Sequence, residues 1–365
     1  MSTEEYTRVN AGALQDFITR VFEKLGVPHE DAVTTADNLV VADLRGIDSH
    51  GVARLGRYVG KLKRGMIVPK SEIKIISEAP GAALVDGGNG LGQPAGKWAM
   101  NRCIEKAKSA GVCMISVRNS NHFGIAGYYA MMALPHDMIG LSLTNSAPLV
   151  VPTYGRQALI GTNPISMAVP AGQETPFVLD MATSVVPRGK LEVYARKEMP
   201  IPIGWAVDEE GNPTTNPQAV LDALIQRRSG GIMPLGGTAD FSGYKGYGLA
   251  VMVDILSGVL SGANFGPRVD EPQDGKEVPS NVGHFFAAIN IATFRPVAEF
   301  KRTMDEYIRL LKDSPKAKGE DRIYIHGEKE FELAAEYRKT GVPLYYKVVN
   351  SLKEIGRDVG VEYNL

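Results

Sequence analysis

Apolar residues recur at helical spacing at both ends of the sequence, whereas the middle consists of short apolar runs broken by glycine and proline. That order leaves few folds open. After Asn10, whose side chain suits the orphan amides of a first turn, Leu14, Phe17, Ile18, Val21, Phe22 and Leu25 share one helical face. Gly26 and Pro28 end that helix, and a second is expected over 30–45 with Val33, Ala36, Leu39 and Val40 inward, stopped by Gly46. A third is expected to start at Asp48 and Ser49 and to carry Val52, Leu55, Tyr58, Val59 and Leu62 toward Gly65. Beyond Pro69 the period shortens: 82–86, 112–117, 139–144 and 176–179 read as strands, with helices over 94–110 and 247–260. A strand over 284–291, an amphipathic helix over 296–312 and charged helices over 328–339 and 345–356 follow. A chain of 365 residues exceeds what one core usually organises. The expected architecture is α/β, with residues 1–75 and 296–365 forming a helical lobe into which an α/β lobe of 76–295 is inserted.

Bulk properties narrow the partners. The 40 basic and 41 acidic residues leave a net charge of −1, which gives no electrostatic case for nucleic acid. No run approaches the ~20 apolar residues of a membrane span. The opening Met-Ser-Thr-Glu-Glu-Tyr is polar and acidic and reads as no signal peptide, so a soluble, cytoplasmic protein is expected. Cys103 and Cys113, the two cysteines, read as buried thiols in a reducing compartment. Neither stands at ligand spacing from a histidine, so no metal is expected.

Several clusters carry possible chemistry, each with a plainer structural reading beside it. In Asp48-Ser49-His50-Gly51-Val52-Ala53-Arg54, Asp48 or Ser49 would cap the third helix, His50 would lie in its first turn, and Arg54 one turn later on the same face. A neutral imidazole suits a proton acceptor, and a guanidinium fork suits a carboxylate; the alternative is a surface helix with a chance pair. Asn121-His122-Phe123-Gly124 follows the strand 112–117, so His122 sits at a carboxyl strand end, where ligands gather. A packed loop histidine is the alternative. Gly90, Gly92 and Ala95 fit G-x-G-x-x-A between a strand and a helix, yet Arg118-Asn119 stands where the confirming acidic residue should be. That run is therefore either a structural glycine turn or a site whose arginine reads a 2′-phosphate. Asp180 at a strand end could orient a histidine, and Arg188 and Lys190 could hold anions. Gly243-Tyr244-Lys245-Gly246 opens an apolar helix and could cradle phosphate, though its spacing is not that of a Walker A loop.

Six motifs in order carry a resemblance: the 48–54 heptad, Asn121-His122-Phe123-Gly124-Ile125-Ala126-Gly127-Tyr128-Tyr129, Gly161-Thr162-Asn163-Pro164, Asp180-Met181-Ala182-Thr183-Ser184, Gly204-Trp205-Ala206 and Lys245-Gly246-Tyr247-Gly248. On these the chain resembles the second malate/lactate dehydrogenase family, with malate, sulfolactate, ureidoglycolate and diketogulonate dehydrogenases, from Asn10 to the tail. The resemblance implies a non-Rossmann, mixed-sheet nucleotide-binding lobe, NAD or NADP as cofactor, and a homodimer whose active sites use both subunits. It implies substrate contacts at Ser49, Arg54, Tyr58, Thr162, Asn163 and Arg188. It gives the acid/base part to either motif histidine; the strand-end position favours His122, with His50 beside the substrate carboxylate. Asp180 joins them, and cofactor contacts are implied at Asp180, Met181, Ala182, Lys190, Tyr244, Lys245, Gly327 and Glu328. Two departures stand out, Tyr244 where many relatives carry histidine and Pro187 where a small residue is usual. The expected reaction is interconversion of malate and oxaloacetate. Another 2-hydroxyacid (sulfolactate, lactate, ureidoglycolate) or a cyclic imine is the alternative within the family. A non-catalytic nucleotide sensor is the alternative outside it, although such a protein would lack the His/Arg pair.

Overall fold

The computed structural model describes residues 5–365; residues 1–4, part of the polar opening stretch, lie outside the described residues. The chain opens with β1 (Tyr6–Val9), α1 (Ala11–Lys24), α2 (His29–Leu44) and α3 (Leu55–Lys63). Next come β2 (Lys74–Ala79), β3 (Ala82–Asp86), α4 (Gly92–Ala110), β4 (Val112–Ser120), α5 (Ala126–Met131) and β5 (Met138–Thr144). The middle adds β6 (Ile165–Val169), β7 (Phe177–Met181), α6 (Arg188–Arg196), β8 (Ala206–Val207), α7 (Pro217–Ile225), β9 (Gly231–Ile232) and α8 (Gly243–Asp254). It closes with β10 (Val282–Asn290), α9 (Val297–Asp313), α10 (Glu328–Thr340), β11 (Val342–Tyr345) and α11 (Tyr346–Val359).

The two ends of the chain build one core. Asn10 caps α1 by accepting the Ala13 amide at 3.0 Å, as its side chain suggested. The apolar face of α1 (Leu14, Phe17, Ile18, Val21, Phe22) meets Leu39, Leu55 and Tyr58, and also Val342, Leu344 and Leu352 from the far end. β1 and β11 pair antiparallel, Tyr6 opposite Tyr345, and fasten the termini together.

The fold is mixed α/β. Its main sheet has seven strands in the order β2-β3-β4-β10-β5-β6-β7. Only β3 and β4 run parallel, joined across the sheet by α4; β10 lies antiparallel between β4 and β5. This is no doubly wound Rossmann sheet, because β10 occupies the place where a further parallel strand would extend it. The glycine run after β3 serves packing instead. A Cβ on Gly92 would stand 2.2 Å from the Asn121 carbonyl oxygen, so α4 presses directly on the segment bearing His122. Arg118 pairs through Nε with Asp86 at 3.3 Å, where β3 and β4 lie side by side. A separate core, with Val150, Leu191, Val220, Ile232 and Ala250, gathers around the short β8–β9 pair.

The third helix departs from expectation. Two 3-10 turns, Asp48–His50 and Val52–Arg54, precede α3, and Gly51 between them is extended (φ −83°, ψ −151°). The cause lies outside the heptad, in the preceding helix. Asp43, buried in the last turn of α2, accepts the Val52 amide at 2.8 Å, and a Cβ on Gly51 would lie 1.9 Å from that carboxylate. Neither Asp48 nor Ser49 caps α3, and His50 and Arg54 do not share an α-helical face.

Candidate active site

The interrupted turn and the end of β4 bring two histidines together. The rings of His50 and His122 stack with centroids 5.6 Å apart and planes 20° from parallel. Both residues are only partly exposed, and both rings are held neutral. His50 is pushed down to about 4 by burial and then by the charges of Arg54 and Arg57. His122 is pushed well below the ordinary histidine value by burial first, then by Arg57, His50 and Arg54. The neutrality that suits a proton acceptor comes here from desolvation and guanidinium charge.

Each histidine is oriented at Nδ1. Ser49 Oγ lies 2.9 Å from His50 Nδ1, and Tyr58 Oη lies 2.6 Å from His122 Nδ1. Tyr58 is 1% exposed, so it stands behind His122, out of a substrate's reach. Arg54 donates Nε to the Ser49 carbonyl at 2.6 Å, and its two terminal nitrogens have no partner among the described residues. Burial and then the Arg57 charge work against its charged form, while from α6 Glu192 acts for it and Arg188 against. The N-terminal turn of α6 thereby joins this corner, although Arg188 itself pairs with Glu192 at 3.0 Å.

Asp180 does not orient a histidine. Its Oδ2 accepts the Gly127 amide at 2.7 Å, and burial raises its carboxyl to about 6 against the pull of that bond and of Arg45. It borders a cavity of about 270 Å³ lined also by Arg45, Ile47, Val178, His326 and Gly327. Gly327 (φ +93°) has no room for a Cβ, which would lie 2.8 Å from that of Val178. Glu328 is spent on Lys312 (2.8 Å), Arg322 (2.9 Å) and the Ile325 amide, so it holds the approach to the cavity.

The remaining expected residues form one backbone-linked tier. Thr183 donates its amide to Thr162 O and its hydroxyl to Asn163 O, and the Leu235 amide donates to Thr183 O. Gly246 of α8 packs against Leu235, a Cβ there falling 2.2 Å from its carbonyl. Met181 and Ala182 therefore neighbour the loop that seats Tyr244 and Lys245, both exposed at the start of α8. Lys190 lies over the Trp205 ring at 5.7 Å. Asn163 is fully buried, donating to Ala250 O and accepting from the Ser146 amide, so its amide is used up internally. A carboxylate, exposed lysine and tyrosine, and a cavity closed by a glycine that tolerates no side chain suit the hydroxyls and phosphates of a dinucleotide.

Three residues of the site were not foreseen. His284, 0% exposed in β10, sits with Nδ1 2.7 Å from Thr144 Oγ1 and Nε2 2.8 Å from Ser120 Oγ. Phe123 stacks on it at 4.6 Å, so His284 grips the His122 segment on both sides. Gln93 donates to Tyr58 Oη at 2.8 Å, and Asp43 shapes the His50 turn. A polar residue inside a buried strand was the one signal that could have marked His284; nothing local marks Gln93 or Asp43. Among the described residues no group of His, Cys, Asp and Glu could hold a metal ion, and no helix is long and apolar enough to cross a membrane.

The family profile described as malate/L-lactate dehydrogenase matches residues 9–353. The chain is 51% identical over 360 residues to a malate dehydrogenase of Pyrococcus abyssi, covering 98% of this chain and 97% of that protein. It is 44% identical over 344 residues to an L-sulfolactate dehydrogenase of Methanocaldococcus jannaschii, covering 94% and 95%. The solved malate dehydrogenase of Pyrococcus horikoshii OT3 superposes with a TM-score of 0.89 at 48% identity, over 99% of this chain and 98% of that one.

Proposed function

Because the chain belongs to the malate/L-lactate dehydrogenase family, we propose that it interconverts (S)-malate and oxaloacetate with NAD or NADP, and that His122 exchanges the proton. The observation that carries this reading is a stacked pair of neutral histidines beside a guanidinium with two unspent nitrogens. Arg54 binds a substrate carboxylate through that fork, assisted by Ser49, and Arg188 stands near for the second carboxylate. His50 borders the carboxylate end. Oxidation of malate breaks the C2–H and O–H bonds: the proton goes to His122 Nε2, the electron pair leaves with the hydrogen, and oxaloacetate remains. When bound, the nicotinamide supplies the two-electron hydride acceptor. The residues that would hold the cofactor are Asp180 and Gly327 of the cavity, with Met181, Ala182, Lys190, Tyr244, Lys245 and Glu328.

The same reading takes the protein to be a cytoplasmic homodimer of two-lobed subunits, a state that sedimentation checks. The similarity to a sulfolactate dehydrogenase supports one rival substrate, 3-sulfopyruvate. The test compares kcat/KM for oxaloacetate, pyruvate, 3-sulfopyruvate and 2-oxoglutarate with NADH and NADPH. Malate fails as the substrate if oxaloacetate is not the best of the four. A His122→Gln enzyme with near-normal turnover would transfer the proton to His50.

A further inference from the structure

Gln93 belongs to the glycine-rich run that the function above leaves unused. Its side chain is 0% exposed at the start of α4. Nε2 lies 2.8 Å from Tyr58 Oη, which lies 2.6 Å from His122 Nδ1, and Gln93 Oε1 is buried with no partner among the described residues. A phenol has one proton to donate, and here it has two neighbours. While Gln93 donates to Oη, the phenol proton goes to Nδ1, and neutral His122 carries its own proton on Nε2. The Gly124 amide, 3.3 Å from Nδ1, favours the same arrangement. That tautomer can hold a substrate oxygen by donating to it, but it has no lone pair to receive the malate proton.

The accepting tautomer is protonated on Nδ1, as is the imidazolium formed when Nε2 takes the proton. In both states Nδ1–H donates to Oη, so the phenol proton must find an acceptor on its other side. A carboxamide can serve both arrangements, because a half-turn about its last side-chain bond exchanges nitrogen for oxygen. We propose that Gln93 is a positioning residue that sets the tautomer of His122 through Tyr58, its oxygen turning in to accept the phenol proton whenever His122 is protonated on Nδ1. This rests on the reading of His122 as the acid/base. No proton leaves the network in the exchange: one moves from Nε2 to Nδ1 by way of solvent or substrate, and the phenol keeps its own.

The test uses full-length Gln93→Glu, Gln93→Met and Tyr58→Phe. A glutamate at 93 accepts only, holds His122 in the Nδ1–H form, keeps kcat near wild type and moves the acidic limb of the pH profile upward by favouring the imidazolium. A methionine accepts nothing, so Gln93→Met lowers kcat about 10- to 100-fold with KM little changed, the scale seen when a group behind a reacting histidine is lost. Tyr58→Phe falls in kcat likewise. Selective 15N-histidine NMR, with His122 assigned by His122→Gln, reads the tautomer without turnover: Gln93→Glu moves the Nδ1 signal toward the protonated form, while Gln93→Met leaves Nδ1 unprotonated. A packing role alone predicts the reverse order of activity, since a buried carboxylate is harder to accommodate than a methionine. The proposal is overturned if Gln93→Met turns over as fast as Gln93→Glu, or if the Nδ1 signal stays put in Gln93→Glu. Should Gln93→Glu not fold, Gln93→Met decides, a kcat equal to wild type being the refutation. A wild type that reduces no 2-oxoacid would refute the function, while the NMR shifts would still decide the part played by Gln93.

Discussion

Replacing Asp43 by asparagine tests the device that breaks the chain between His50 and Arg54. The carboxyl is buried, accepts the Val52 amide, and is pushed up to about 8 from an ordinary 3.8, chiefly by desolvation, with the Asp48 charge adding to the rise. A raised carboxyl favours folding in its protonated form. Its contribution is whole below pH 3.8, declines as pH rises toward 8, and is a constant penalty above. Full ionisation costs the folded chain on the order of 5 kcal/mol, since each pH unit of displacement is worth about 1.4 kcal/mol. An asparagine side chain would keep a carbonyl oxygen for the Val52 amide and carry no charge. Urea unfolding at pH 5, 7 and 9 should give a small difference at pH 5 and an Asp43→Asn advantage that widens by several kcal/mol at pH 9. Parallel curves, or a variant weaker at pH 9, would refute the burial argument and mean that a cation compensates the carboxylate.

Arg54→Gln removes the charged fork, and kcat/KM for oxaloacetate should fall about 10- to 100-fold, matching the roughly 1.5–3 kcal/mol of a hydrogen bond to a charged group; steady-state kinetics reads it. Gly92→Ala places a methyl 2.2 Å from Asn121 O and 2.7 Å from His122 O, so the His122 segment must move. A displacement near 1 Å costs about 100-fold in turnover, and a normal kcat would show that α4 gives way instead. Because burial holds His122 well below the ordinary histidine value, kcat/KM for malate oxidation should show no acidic limb near pH 6.5, and a limb there would show a solvated histidine. Chemical unfolding should also reveal acid instability from His50 and His284, near 4 and 3. Both are depressed, so their stability is present above pH 6.5 and lost as pH falls through those values.

The fold is legible in the sequence where a single element carries its own pattern. The face Leu14, Phe17, Ile18, Val21 announces α1 because every one of those residues turns to the same core. α6 leaves no such trace, because only Leu191 of its nine residues is buried and no stripe forms. β1 and β11 are hidden for another reason: four residues each, they are strands only because opposite ends of the chain meet. The β10 stretch reads as a strand, yet nothing in its sequence says that it lies between β4 and β5. Register and strand order are properties of pairs.

The site divides along the same line. His50, Arg54 and His122 stand in short motifs whose residue types already suggest proton and carboxylate chemistry, and the fold brings the two histidines into one stack. What their local sequence misstates is the cause of their arrangement. The heptad looks like a capped helix, but a carboxyl group from α2 unwinds it at Gly51, so histidine and arginine lie in separate turns. Likewise Tyr58, at helical spacing from Arg54, looks like another substrate contact; burial against Phe22 and bonding to Gln93 place it behind the reacting ring. Asp43, Gln93 and His284 lie outside the motifs they support, and each is a buried polar side chain. Such residues are costly to bury unless their bonds are met. Asp43 meets that cost at the Val52 amide, Gln93 at the Tyr58 hydroxyl and His284 at the Ser120 hydroxyl, so each supports one of the two histidine turns.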